Sequence, residues 1–126
     1  DLVWLDTGDG DKADNGIFDS GETPVAGVIV ELYESGQTPG SSTPIATTTT
    51  DANGRYLFTG LNPGDYIVHI PASEFSSGPL KDFVSSLGNG LANADADETT
   101  DENGVDAAHP ASSGISSKRK DFYWRK

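Results

Sequence analysis

The sequence contains no cysteine and no methionine. Without cysteine, no disulfide can cross-link the fold, and no thiolate can serve as a nucleophile or metal ligand. No apolar run is long enough to span a bilayer, so we expect no membrane insertion. Basic residues are also scarce, because 8 Lys and Arg stand against 20 Asp and Glu, for a formal net charge of -12. Such a surface repels phosphate backbones and attracts cations, so nucleic acid is not an expected partner.

The length of 126 residues suits one domain covering residues 1–126. Neither a signal peptide nor an initiator methionine is present, so we expect a piece of a longer exported chain. Outside cells calcium is plentiful, and oxygen ligands can cross-link loops where disulfides are lacking. The composition therefore predicts an extracellular protein, either secreted or attached to a cell wall.

Alternating apolar residues predict short strands, most clearly in residues 27–34, "GVIVELYE". Val28, Val30 and Leu32 fall on one face of this strand, which we expect to be buried. Glu31 and Tyr33 fall on the other face, and Glu31 is expected in solvent. The same alternation predicts that His69 lies on the surface face of its strand, and His109 is expected in a loop.

Further strands are predicted at residues 2–5, 45–50, 55–61, 66–70 and 115–124. The stretch "DANG" at residues 51–54 is predicted to turn the chain, so that the next strand pairs back as a hairpin with Tyr56 and Phe58 on one face. Leu80, Phe83, Val84 and Leu87 could anchor a loop or a single helical turn. About seven short antiparallel strands joined by turns predict an all-β sandwich.

The acidic stretch "DKADNGIFDSGE" at residues 11–22 matches the calcium-loop pattern D-x-[DN]-x-[DN]-G-x5-E except at Ala13. Carboxylate and amide oxygens suit calcium, the glycine permits a sharp turn, and the last glutamate can bind with both oxygens. The ligand that Ala13 lacks could come from Asp6, Asp9 or Asp14. The predicted calcium ligands of this loop are Asp6, Asp9, Asp11, Asn15, Ile17 (through its carbonyl), Asp19 and Glu22. The alternative is a solvated acidic turn.

A second acidic cluster occupies residues 93–106, "NADADETTDENGVD". Its oxygen-bearing side chains predict a second calcium site, although no glycine stands at the expected position. The candidate ligands are Asp95, Asp97, Asp101 and Asn103. The alternative is a disordered acidic loop.

Catalytic motifs are weak in this sequence, so we predict that the protein is not an enzyme. Asp6-Thr7-Gly8 is the triplet of aspartic proteases, but the charges that follow it are incompatible with a dry, shared-proton site. Neither histidine has the sequence neighbours of a triad or zinc site. Trp4 and Trp124 could stack on sugar rings if exposed together, although aromatic residues of small sandwiches are usually core or rim.

Two runs resemble a known family: "DSGETPVAGV" at residues 19–28 and "DANGRYLFTGLNPGDY" at residues 51–66. With "VWLD" before the acidic loop and "DENGVD" late in the chain, they are similar to the SdrD B-like domain of serine-aspartate repeat surface proteins of bacteria. That domain is itself related to collagen-adhesin Cna-B modules. The resemblance implies a Greek-key sandwich of the prealbumin or Cna-B type, structural calcium ions, and a role as stalk or spacer.

Transferred residue by residue, the family's acidic loop falls on Asp6, Asn15, Ile17, Asp19 and Glu22, and its late acidic segment falls on residues 95–106. Related Cna-B modules form an isopeptide bond from a lysine of the first strand, but "LVWLD" contains none. Lys12 and Lys81 are badly placed for that bond, so we expect calcium to cross-link the fold instead.

The function expected from the sequence is therefore a monomeric, calcium-stabilised spacer whose partners are neighbouring domains of a longer chain. The alternative is a ligand-binding module for carbohydrate or for a protein partner.

Overall fold

The structure, a computed structural model, describes residues 1–7, 10, 18–85, 114–117 and 122–125. Within these residues the chain forms eight strands and one short helix. In chain order they are β1 (Val3–Leu5), β2 (Thr23–Pro24), β3 (Ile29–Glu34), β4 (Ala46–Thr49), β5 (Tyr66–Ile70), α1 (Ala72–Ser76), β6 (Val84–Ser85), β7 (Ile115–Ser117) and β8 (Phe122–Arg125). Two four-stranded sheets result, with strand orders β2-β1-β8-β6 and β4-β3-β5-β7. The predicted all-β sandwich is confirmed.

One hydrophobic core joins the two sheets. Val30 and Leu32 of β3 and Val68 and Ile70 of β5 supply it from one sheet, and Val3 of β1 supplies it from the other. The predicted inward face is confirmed, since Val30 and Leu32 of β3 and Val28 just before it are at most 2% exposed. Burial of such side chains stabilises the fold by about 1.5–3 kcal/mol each relative to exposure.

The outer face of β3 is covered rather than open to solvent. Tyr33 is buried, and its hydroxyl donates a hydrogen bond to Oε2 of Glu31 at 2.8 Å and accepts one from the backbone N–H of Gly40 at 3.3 Å. Glu31 is half-buried, so its predicted position in solvent is wrong. Burial and the hydrogen bond to Glu31 both raise the pKa of Tyr33.

The surface position predicted for His69 is also wrong, because this side chain is only 2% exposed. Its ring meets that of Tyr33 edge-on with centroids 6.0 Å apart. Gly114 packs so closely that an added Cβ would lie 2.9 Å from Nε2 of His69. Alternation assigned the face correctly but could not reveal what covers it.

The turn at residues 51–54 forms as predicted. Oδ1 of Asp51 accepts hydrogen bonds from the N–H groups of Asn53 at 2.8 Å and Arg55 at 3.0 Å. These two bonds lower the pKa of Asp51. Gly54 follows in the left-handed region at φ +70°.

The predicted hairpin after this turn is wrong. Gly54 accepts a hydrogen bond from the N–H of Val3 at 2.8 Å, and the N–H of Tyr56 donates to the carbonyl of Asp1 at 3.0 Å. The segment therefore leaves β4 and pairs with the residues around β1, which carries Tyr56 into the core. Tyr56 and Phe58 do share a face, with their rings edge-on at 6.0 Å.

The single closing strand predicted at residues 115–124 is two strands in different sheets. β7 pairs with β5, whereas β8 lies between β1 and β6. In sequence, Lys118, Arg119 and Lys120 interrupt the apolar alternation between them. β8 also runs parallel to β1, while every other described strand pair is antiparallel.

The short helix α1 closes one side of the core, and of the residues predicted to anchor a loop or a helical turn, Leu80 and Phe83 follow this helix. Phe75 and Leu80 are buried in the core, and Phe83 packs against it. Val84 belongs to β6, and Leu87 lies outside the described residues.

Glu74 of α1 is a buried acid, only 4% exposed. It accepts a hydrogen bond from the N–H of Ile29, but Oε2 has no hydrogen-bond partner within the described part of the chain. Burial raises the pKa of this carboxyl because the charged form is poorly solvated.

We expect Glu74→Gln to gain stability relative to the wild type as the pH rises. An acid with a raised pKa in the folded state stabilises fully below its unfolded pKa, about 4.3, and that contribution is lost as pH rises through the folded pKa. Glutamine keeps an acceptor for Ile29 and carries no charge. Urea unfolding between about pH 4 and pH 8 measures the difference. Glu34→Gln, at an exposed position, is the control. A stability difference between Glu74→Gln and the wild type that does not change with pH would contradict a raised pKa of Glu74.

Gly54→Ala should destabilise the fold much more than Gly60→Ala, although both glycines have φ +70°. An added Cβ at Gly54 would collide with the carbonyl oxygen of Val3 and lie 2.9 Å from Cβ of Pro24, whereas at Gly60 nothing lies within 4 Å. We expect a loss of about 1–2 kcal/mol at Gly60 and about 2–5 kcal/mol at Gly54, where overpacking adds to the left-handed penalty. Equal losses in urea unfolding would show that the β1 contact is not tight.

Candidate metal centre

β1 and β2 bring two buried carboxylates to one end of the sandwich. Trp4 faces Pro24 and Leu5 faces Thr23, so the next step of this register sets Asp6 opposite Glu22. Facing positions of an antiparallel pair hold their Cβ atoms about 5 Å apart. Asp6 is 1% exposed and Glu22 is 8% exposed. Two like charges withdrawn from water at this separation are unfavourable unless donors or a cation compensate them.

A tight turn places Glu22 at this position. The N–H of Glu22 donates to the carbonyl of Asp19 at 3.2 Å, and the N–H of Asp19 donates to Oε2 of Glu22 at 2.9 Å. Gly21 adopts φ +101° within the turn. The sequence "DSGE" thus holds the half-buried Asp19 next to the buried Glu22.

An aromatic contact fixes the end of the acidic loop against β1. The ring of Phe18 meets that of Trp4 edge-on, with centroids 5.8 Å apart and planes at 63°. Trp4 is buried at 4% exposure, whereas Phe18 remains 44% exposed. Sequence reasoning placed Trp4 in the core or rim but missed this partner. The signal was the isolated apolar pair Ile17-Phe18 within an acidic loop.

Of the predicted ligands, the structure brings Asp6, Asp19 and Glu22 to this end of the sandwich. The other predicted ligands, all outside the described residues, are Asp9, Asp11, Asn15, Ile17, Asp95, Asp97, Asp101 and Asn103. Within the described ranges, no group of three or more His, Asp or Glu side chains is arranged to hold a metal ion. The described donors are carboxylate oxygens, which fit a hard cation such as calcium, and a full coordination sphere needs further oxygens.

A family model described as the SdrD B-like domain matches residues 1–119. The chain belongs to the SdrD B-like domain family. This SdrD B-like domain is 38% identical over 106 residues, 83% of the chain, to serine-aspartate repeat-containing protein F of Staphylococcus epidermidis. It is 41% identical over 68 residues, 54% of the chain, to the fibrinogen-binding protein of Staphylococcus epidermidis. It is 48% identical over 61 residues, 46% of the chain, to Colossin-B of Dictyostelium discoideum.

The SdrD B-like domain spans only a small part of these relatives: 5% of protein F, 5% of the fibrinogen-binding protein and 2% of Colossin-B. The matches therefore identify a module within much longer chains. Among the helices that the structure describes, none has the length and apolarity to cross a membrane.

Phe18→Leu should lower the stability of the domain, because it keeps an apolar side chain but removes the edge-on ring contact with Trp4. Aromatic pairs contribute about 0.5–1.5 kcal/mol beyond area burial, which is the loss we expect. Urea unfolding in excess chelator isolates this contact from metal binding. Ile45→Leu, at an apolar position equally exposed at 44%, is the control. Equal stability of Phe18→Leu and the wild type would show that the contact does not hold the loop.

Proposed function

We propose that this domain is a non-catalytic, calcium-stabilised spacer of an extracellular multidomain protein, secreted or attached to a bacterial cell wall. The observation that carries the proposal is the burial of Asp6 and Glu22 at positions that the register of β1 and β2, continued by one residue, sets opposite each other. Both lie where the acidic loop joins β1 and β2. A bound cation compensates their mutual repulsion and their loss of hydration. Binding of the ion therefore raises the free energy of unfolding.

Calcium is the cation that suits this site. The chain has no cysteine for softer metals, and its acidic loop is rich in carboxylate and carbonyl oxygens. Asp9, Asp11, Asn15 and the carbonyl of Ile17 would complete the sphere around Asp6, Asp19 and Glu22. Residues 95–103 would hold a second ion in the same way. Magnesium requires near-octahedral geometry and retains its water, so it replaces calcium poorly in such a loop.

The strand directions support the spacer role. β1 and β8 are parallel neighbours, with Val3 beside Phe122 and Leu5 beside Trp124. The chain therefore passes through β1 and through β8 in the same direction, entering near one end of the sandwich and leaving near the other. Modules joined in this way extend a chain rather than fold it back. The match covers only 5% of each of two relatives, which suits a domain that is one module among many. The partners of this domain are then its neighbouring domains.

Thermal unfolding in calcium and in chelator tests the proposal. A ligand that binds only the folded state adds about 2.7 kcal/mol per site at a hundredfold excess over Kd. For a domain of this size that corresponds to a rise in Tm of about 10 °C. We expect Asp6→Asn and Glu22→Gln to lose most of this calcium-dependent rise in Tm. In the wild type without calcium, magnesium should produce only a small part of the rise.

The controls are Asp82→Asn and Glu34→Gln, which make the same chemical changes at exposed positions. Both should keep the full response to calcium. Identical melting curves of the wild type in calcium and in chelator would exclude the structural-calcium role. If the controls lose as much of the calcium-dependent rise in Tm as the site variants, calcium acts through the overall charge of the domain.

A further inference from the structure

A cleft of mixed apolar and polar lining lies away from the candidate metal centre, where β3 ends and β5 begins. Its volume is about 640 Å³, and Leu32, Tyr66 and Val68 contribute to its wall. Clefts of roughly 300–1,000 Å³ are typical of ligand-binding sites. The cleft is also lined by Asp1, two residues before β1, whereas Asp6 and Glu22 lie past the other end of that strand. The two sites are therefore separate features of the fold.

The rim of the cleft exposes large apolar side chains. Leu57 is 70% exposed and Leu61 is 42% exposed, and both line the cleft beside the half-buried Phe58. They belong to the segment that leaves β4 after the turn at residues 51–54. Adjacent exposed leucines around a concave apolar wall are typical of an interaction site, because covering them removes apolar area from water.

Leu57 and Phe58 follow directly on the pairing of Arg55 with Leu2 and of Tyr56 with Asp1, which fixes the rim beside the start of β1. The hydroxyl of Tyr66 already donates to the carbonyl of Asn62 at 2.6 Å, which leaves few side-chain donors for sugar hydroxyls.

The charge of the cleft indicates the charge of the partner that it can bind. Asp1 and Asp65 line it with exposed carboxylates, and none of its lining residues carries a basic side chain. The α-amino group of Asp1 donates to the carbonyl of Tyr56 at 2.9 Å. With a formal charge of -12 on the whole chain, a cationic segment is attracted and an anionic one is repelled.

We propose that this cleft binds an extended peptide segment of another protein, one that carries leucine-like side chains next to lysine or arginine. The apolar side chains enter between Leu57 and Leu61, and the basic side chains lie beside Asp65. This binding activity goes beyond a spacer role and does not depend on calcium.

Three synthetic acetylated and amidated peptides test the proposal by calorimetry and by amide chemical shifts of the labelled domain. They are Lys-Leu-Lys-Leu-Lys, the acidic Glu-Leu-Glu-Leu-Glu, and Lys-Gly-Lys-Gly-Lys, which has charge but no apolar side chains. We expect saturable binding of the first peptide only, with shifts centred on residues 57–66. Leu57→Ser and Leu61→Ser should weaken it at least about fivefold, since a leucine contact is lost. Asp65→Asn should weaken it about twofold to fivefold, as for an exposed ion pair.

Ile45→Ser and Asp82→Asn are the matched controls, because Ile45 is as exposed as Leu61 but does not line the cleft, and neither does Asp82. Both should bind within about twofold of the wild type. The proposal is overturned if the first peptide does not bind, if either of the other peptides binds as tightly, or if the controls lose as much affinity as the cleft variants. The same titration in chelator separates it from the spacer role, since loss of the metal should leave the peptide affinity unchanged while the domain stays folded.

Discussion

The fold depends on how the first residues of the chain are paired. β1 lies between β2 and β8, and the residues around its start also pair with the segment after the turn at residues 51–54. One three-residue strand thus connects the beginning, middle and end of the chain. Its buried Val3 joins the core, and its neighbour Asp6 faces Glu22. In a chain with no cysteine, this strand supplies pairings between the beginning, the middle and the end of the sequence.

This arrangement concentrates electrostatic cost at one end of the sandwich. Asp6 and Glu22 are both buried, and the register of β1 and β2, continued by one residue, sets the two acids opposite each other. Burial of charged groups without compensation opposes folding. The proposed cation would make the same register favourable, and the acidic loop would then act as a cross-link. At Glu74, by contrast, burial raises the pKa of the carboxyl, which favours its neutral form.

The cleft forms because the chain leaves β4 after the turn at residues 51–54. Because Arg55 and Tyr56 pair with Leu2 and Asp1 instead of with β4, the chain crosses here from one sheet to the other, and Leu57 is exposed at the edge of the sandwich. The same crossing buries Tyr56 in the core. One crossing of the chain thus both closes the core and leaves exposed leucines at the rim of a cleft.

The sequence by itself determined the all-β class, the inward face of β3, the turn at residues 51–54 and the "DSGE" run that holds Glu22. Each of these is local, since alternation, Asx side chains and glycine act within a few residues. Tertiary structure alone decided the partner of Tyr56, the split of the last predicted strand into β7 and β8, and the burial of Tyr33 and His69. It also decided the burial of Thr50, whose Oγ1 accepts a hydrogen bond from the N–H of Val28 and donates one to the carbonyl of Val25. These outcomes depend on segments distant in sequence competing for the same edge or covering the same face, and a residue's local pattern contains no information about that competition.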